Sequence, residues 1–223
     1  MNTTQLDSIL SALQTNISPD TRRRRFVSTI TNNTQYLGVF SADNMPLDHL
    51  SNQSKTVYFI VNSDPSYSPG THWLACVKAP GSILEFFDSY GNPPSFYHFS
   101  FPSNLRILHN QDPLQSVYSS VCGQYCIYFL YFRIFHKISL QKISAQLRTS
   151  FKTQKLRDQY ISNSVNTLSR RFTRGKGNLI NLMSPARSPP KMPQNSTTSL
   201  IQSSHSLHSL PHNFLDFSNS QSE

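Results

Sequence analysis

The stretch Ser119-Ser-Val-Cys122-Gly123-Gln-Tyr-Cys126-Ile-Tyr-Phe-Leu-Tyr-Phe-Arg-Ile-Phe135 decides the fold. Wound as a helix from Val121, it is apolar on every face, and a helix hydrophobic all round is buried. Its apolar part is too short to cross a bilayer, which takes roughly 20 residues. The reading is therefore a central helix in a packed core, entered from a polar loop, with Ser119 or Ser120 set to cap its start. Cys122 stands at its head. Helix N-termini carry partial positive charge and unpaired N–H groups, which lower a thiol's pKa and offer donors to an oxyanion. Gly123 lets backbone and substrate approach closely. Taken alone, Cys122 reads more readily as a buried structural cysteine, the commoner case; its place at a loop-to-buried-helix junction favours the catalytic reading. Cys126, one turn further in, and Cys76, in mid-strand, read as core.

Working outward, the segment upstream is strand-like. Tyr36-Leu-Gly-Val-Phe40 is a brief apolar run entering a polar turn at Ser41–Pro46. Thr56 to Val61 is β-branched and aromatic. His72 to Val77 follows the Pro69-Gly70 turn, and Ile83 to Phe87 follows Pro80-Gly81, so these two are expected to pair as a hairpin. Their nearly continuous apolar character predicts central strands covered on both faces. Leu105 to Leu108 is a further short strand, and Gln111 to Ser120 a polar connector. Beyond the central helix, Ser139 to Phe151 and Arg157 to Leu168 read as more polar helices. At the other end, Leu6, Ile9, Leu10 and Leu13 fall at helical spacing, and that helix is expected to stop at Ser18-Pro19.

Three further residues give Cys122 its chemistry. A thiol attacks a carbonyl well only as thiolate. An imidazole can take its proton, an acid can hold the imidazole, and an amide can stabilise the oxyanion. His72 sits at a strand edge beside a turn, where it can face a cleft; His49, His98, His109 and His136 are its rivals on chemistry alone. Asp88 ends the neighbouring strand, so the two strand ends can bring it beside His72, to fix the tautomer and stabilise the imidazolium. Glu85, three residues earlier, falls on the opposite face. Gln115, seven residues before Cys122, has an amide able to reach an oxyanion hole beside the Cys122 N–H. No set of further ligands accompanies Cys122 and Cys126 at metal-binding spacing.

The net charge of the 223-residue chain is +9 and unevenly spread. Between Tyr36 and Tyr131 the acids are Asp43, Asp48, Asp64, Glu85, Asp88 and Asp112, against Lys55, Lys78 and Arg106. The bases sit in the flanks: Arg22 to Arg25, then Arg133, Lys137, Lys142, Arg148, Lys152, Lys155 and Arg157, and on to Lys191. That distribution suits a polyanion, nucleic acid foremost, or a solvated surface. Three cysteines argue against a disulfide framework, and Met1 to Gln14 is too polar for a signal peptide. The Ser/Pro/His-rich residues 176–223 have few apolar side chains to offset their ordering entropy and are expected to be disordered. The expected organisation is an N-terminal amphipathic helix over 1–20, a catalytic domain over 21–175 and that tail.

Four strings carry a family likeness: Tyr36-Leu-Gly-Val-Phe-Ser-Ala-Asp-Asn-Met-Pro46, Gly70-Thr-His-Trp-Leu-Ala75, Phe86-Phe-Asp-Ser-Tyr-Gly91 and Leu114-Gln-Ser-Val-Tyr-Ser-Ser-Val-Cys-Gly-Gln-Tyr-Cys126. Through them the chain resembles the adenovirus endopeptidase (adenain) family and its relatives in Polinton/Maverick and adenovirus-like elements, over roughly residues 36–135 and weakly to 168. The resemblance implies an α+β cysteine-protease fold shared with ubiquitin-like-protein proteases, a mixed sheet packed on a central helix carrying the nucleophile. It implies His72 as base, Asp88 as its partner (Glu in adenovirus enzymes), Cys122 as nucleophile, Gln115 in the oxyanion hole and Trp73 as a wall of the site. The implied activity is a thiol endopeptidase maturing viral or mobile-element structural precursors, often after a small residue such as Gly. The implied setting is the host nucleus or cytoplasm, or the virion. No metal or cofactor is needed for such chemistry; DNA, through the basic flanks, or a short peptide would be an activator, though no cysteine suited to holding that peptide is evident. A monomer without membrane contact is expected. Two other readings remain: a deconjugase of ubiquitin or SUMO on the same fold, and a non-enzymatic nucleic-acid-binding protein with a degenerate core.

Overall fold

A computed structural model describes residues 1–15, 33–51, 54–81 and 83–173. The expected helix stop at Ser18-Pro19, the Arg22–Arg25 run and the tail 176–223 lie outside the described residues. The elements are α1 (Thr3–Thr15), β1 (Thr34–Phe40), β2 (Thr56–Asn62), β3 (Trp73–Lys78), β4 (Ile83–Phe87), β5 (Arg106–His109), α2 (Cys122–Phe135), α3 (Leu140–Ser150) and α4 (Gln154–Thr173). Short 3-10 turns at Ala42–Asn44, Leu47–Leu50 and Pro94–Tyr97 lie between strands. The fold is α+β, as expected.

The five strands form one mixed sheet in chain order. β1 and β2 run parallel, β2, β3 and β4 are antiparallel neighbours, and β4 and β5 run parallel. The hairpin expected of the third and fourth strands is therefore present. Side chains alternate across the pleat, and the central strands bury both sets. Tyr58, Ile60, Ala75, Val77 and Phe87 face the helices. Val57, Phe59, Val61, Leu74, Cys76, Leu84 and Phe86 face a second layer of turns and loops that includes Leu47, Tyr97, Phe99 and Phe101. Sequence-continuous apolar strands and a two-sided core are one and the same observation.

α2 lies against the helix face of the sheet, with Tyr125, Cys126, Ile127, Phe129, Leu130, Tyr131 and Phe132 all buried. Phe129 stacks on Phe87 with ring centres 4.7 Å apart. The same core takes in Leu6, Ile9, Leu10 and Leu13 of α1 and Ile161, Val165 and Leu168 of α4. Asn2 and Gln5 cap α1 reciprocally, each side chain accepting the other's backbone N–H. Among the described residues no helix is long and apolar enough to cross a membrane.

Two local expectations are corrected. The residue before α2 is Val121, without a side-chain cap; the Ser119 hydroxyl instead donates to the Ser116 carbonyl at 3.0 Å. The first N–H groups of α2 are thus left to the site rather than to a serine. Second, two of the flanking bases are internal. Arg133 forms a two-pronged pair with Glu85, at 2.6 and 2.9 Å. Arg157, buried, donates to the carbonyls of Leu147 at 2.7 Å and Leu114 at 2.6 Å. Lys142, Arg148, Lys152 and Lys155 remain exposed.

Candidate active site

The site lies where β3 begins and β4 ends. Antiparallel pairing brings those two ends together, with Ala75 opposite Phe87. His72, just before β3, and Asp88, just after β4, therefore emerge side by side. His72 Nε2 and Asp88 Oδ1 are 2.7 Å apart, and both side chains are buried. Glu85 takes no part, being held by Arg133 on the helix side of the sheet.

Asp88 is fixed by a dense set of donors. Its Oδ1 also accepts the Tyr90 N–H at 2.9 Å; its Oδ2 accepts the Asn92 N–H at 2.9 Å and the Tyr97 hydroxyl at 2.8 Å. Its backbone exchanges two hydrogen bonds with the Asn110 amide. Burial alone would raise the Asp88 pKa, but His72 and these donors outweigh it and hold the carboxyl below its usual range. Gly91 makes the turn possible. Its φ is +80°, and a Cβ there would come within 2.8 Å of the backbone at Gln111 and Asp112.

The His72 ring also interacts with the Cys122 thiol, through a hydrogen bond and through charge. Burial disfavours the imidazolium; the hydrogen bonds to Asp88 and Cys122, and the charges on both, override it and push His72 up to about 9. Burial likewise disfavours the thiolate, but the hydrogen bond to His72, its charge and the backbone N–H groups of Trp73 and Gly123 bring the Cys122 pKa below the usual thiol value. The two shifts share a cause: each charged form stabilises the other. Cys76 and Cys126, fully buried, are pushed the opposite way by desolvation.

β3 and α2 are locked at this point. The Cys126 thiol donates to the Trp73 carbonyl at 3.2 Å, so Cys126 ties the helix of Cys122 to the strand that follows His72 as well as filling core. A Cβ on Gly123 would stand 3.4 Å from the Trp73 ring and 3.2 Å from Met1 and Leu6. What the missing side chain admits here is the α1 end and Trp73. Trp73 in turn donates its indole N–H to the Met1 carbonyl at 3.2 Å.

Gln115 is drawn into the same cluster but turned inward. Its Oε1 accepts the Ser89 hydroxyl at 2.8 Å, and its Nε2 donates to the Ser119 carbonyl at 2.7 Å and the Tyr90 hydroxyl at 3.2 Å. The backbone N–H groups of Leu114 and Gln115 both donate to the Ser89 carbonyl. The loop of the acid and the loop of the amide are thereby stitched together.

His72, Asp88 and Cys122 thus meet, and Gln115 is linked to them through Ser89 and through Tyr90, which stacks on His72. Sequence reasoning missed Tyr90, Asn92, Tyr97 and Asn110. Tyr90 was within reach: continuing the hairpin register three residues past Ala75–Phe87 sets it opposite His72, and its ring stacks on the imidazole at 4.7 Å. Tyr97 and Asn110 arrive from a 3-10 turn and from the end of β5, and no local pattern announces either. His49, His98, His109 and His136 have no contact with Asp88 among its hydrogen bonds. Among the described residues no three His, Cys, Asp or Glu side chains gather in a metal-ligating group.

No family model matches the chain. A protease of Ovine adenovirus D serotype 7 is 28% identical over 136 residues, which is 53% of this chain and 66% of that protein. A protease of Bovine adenovirus 7 is 30% identical over 98 residues, 36% of this chain and 48% of that protein. The matched stretches thus span between about half and about two thirds of these relatives. Among solved structures, an ASFV protease covers 73% of this chain and 66% of its own length at 15% identity, with a TM-score of 0.43, a distant likeness. In sequence the chain is similar to the adenovirus proteases, and the adenain-like resemblance carried by its four motifs is borne out.

Proposed function

We propose that this chain is a cysteine endopeptidase acting by acyl transfer. The Cys122 thiolate attacks the scissile carbonyl, and the Cys122 N–H at the α2 terminus meets the oxyanion, with the Gln115 cluster on the side-chain flank. His72, as imidazolium, gives its proton to the leaving amine, then takes one from the water that releases the acyl-enzyme. Asp88 keeps the ring oriented throughout. The observation that carries the reading is the buried 2.7 Å His72–Asp88 pair, with Cys122 as the ring's second partner. Two clefts are lined by chain neighbours of these residues and could take a peptide: one of about 260 Å³ at Gly70 and Trp73, beside His72 in sequence, another of about 670 Å³ at Ser119 and Val121, beside Cys122 in sequence.

The proposed substrates are structural precursor proteins of a virus or mobile element, in host nucleus, cytoplasm or virion, with DNA as an activating partner. The sequence similarity to adenovirus proteases supports this, and the exposed Lys142, Arg148, Lys152 and Lys155 supply cations for phosphates. The test is cleavage of a peptide library by the full chain and by Cys122→Ala, with and without duplex DNA, beside a SUMO-tail reporter. The account expects internal cuts by the wild type, none by Cys122→Ala, and a DNA stimulation that fades as salt rises. Equal cleavage by Cys122→Ala would overturn the mechanism. Turnover of the SUMO tail alone would reassign the substrate to ubiquitin-like conjugates.

A further inference from the structure

The cleft of about 670 Å³ has two walls, the connector before α2 and one face of α4. On the connector side, Tyr118 is 97% exposed and Val121 is peptide-bonded to Cys122. On the α4 side, Lys155, Gln159 and Asn163 recur every fourth residue, which sets them in one stripe. At the helical rise the stripe is about 12 Å long, roughly the reach of three or four residues of extended chain. Asp158 connects the cleft to the reacting groups: its charge and that of Cys122 both act on Tyr90, whose ring stacks on His72.

Nothing in the fold accounts for Lys155. α4 begins at Gln154, so a cation at 155 stands in the first turn, where the helix dipole disfavours positive charge. Lys155 forms no ion pair with another described residue. Arg157, in the same turn, is engaged by buried carbonyls. Asp158, at 6% exposure, takes the Tyr125 hydroxyl and the Ser116 N–H. A local rule broken without gain inside the chain points to a ligand. Of the exposed cations Lys142, Arg148, Lys152 and Lys155, Lys155 alone lines this cleft. A concave site that starts one residue from Cys122 suits a single extended polypeptide better than a duplex.

We propose that this cleft is a subsite for the polypeptide being cut, and that Lys155 is its specificity-determining residue, selecting an acidic side chain. The inference rests on the endopeptidase reading. Gln159 and Asn163 carry amides that donate to and accept from peptide backbone, so they hold any sequence. Tyr118 adds apolar contact without reading charge.

The test uses internally quenched decapeptides built around a fixed Gly, with the remaining positions set one at a time to Glu, Gln or Lys, in the absence of DNA. At one position the wild type is expected to cut the Glu peptide with a kcat/KM about 10-fold above that of the Lys peptide. The difference should lie in KM and shrink as salt rises. Lys155→Glu is expected to invert the order at that position. An acid suits the first turn of α4, so the fold is kept, and alkylation of Cys122 by iodoacetamide is expected to match the wild type. Peptide binding, read by fluorescence anisotropy, is expected to follow the same order in Cys122→Ala and the inverted order when Lys155→Glu is added, whether or not any peptide is cut. An order unchanged by Lys155→Glu, in cleavage and in binding, would overturn the inference. A variant altered only in its stimulation by DNA would also overturn it, and would give Lys155 to phosphates. A wild type that cuts without charge preference refutes this inference and leaves the endopeptidase reading standing. Equal cleavage by Cys122→Ala refutes that reading, while the order of binding still decides the role of Lys155.

Discussion

At the scale of single residues, the decisive balance is between desolvation and pairing. His72 and Cys122 are both buried enough to favour neutral forms, yet each is held charged by its partners. The reactive species, thiolate with imidazolium, therefore spans the window from the lowered Cys122 pKa up to about 9, where His72 loses its proton. Activity is expected to fall above that limit, because the leaving amine loses its acid. Asp88→Asn removes the charge while keeping the shape. The burial that disfavours imidazolium remains, so the His72 pKa drops and the high-pH limb moves to lower pH, with kcat falling about 10²- to 10⁴-fold. A pH–rate profile of the variant checks both. Cys122, His72 and Asp88 were legible because their chemistry is written in residue type and at strand ends. The inward turn of Gln115 was not, because it depends on Ser89, Tyr90 and Ser119, whose hydrogen bonds exist only after folding.

At the scale of elements, α2 and the β3–β4 hairpin were readable from apolar runs and turn residues, and the sheet adds only their register. α4 contributes something the sequence concealed. Its Arg157 looks like one more surface base, yet its guanidinium fills the carbonyls that end α3 and reaches Leu114 beside Gln115. Its neighbour Asp158 accepts the Tyr125 hydroxyl at 2.9 Å and the Ser116 N–H at 3.2 Å. α4 therefore pins the connector that leads to Cys122. Arg157→Met would strip the Leu147 and Arg148 carbonyls of this donor and leave the Leu114 carbonyl with the Tyr125 hydroxyl alone. Urea unfolding is expected to show a loss of about 3 kcal/mol. Arg157→Lys is expected to recover only part, since an ammonium cannot repeat the planar fork. A melt unchanged by Arg157→Met would refute this role.

At the scale of the molecule, one sheet with two covered faces serves one purpose: it holds the end of a strand pair rigid against the head of a buried helix. The helix-facing layer joins α1, α2, α3 and α4, and the opposite layer, built of turns and loops, delivers Tyr97 to Asp88. The two-layer plan follows from uninterrupted apolar strands. The loop layer does not, because aromatic residues in irregular segments carry no periodicity. The central claim is that this frame brings Cys122 and His72 together as an ion pair. Alkylation of the native chain by iodoacetamide, followed against pH and assigned to Cys122 by mass spectrometry, tests it most directly, since Cys76 and Cys126 are fully buried. In the wild type, alkylation is expected to begin well below the ordinary thiol pKa, and His72→Ala is expected to move its onset upward into that range. Superimposable profiles for the two proteins would contradict the ion pair.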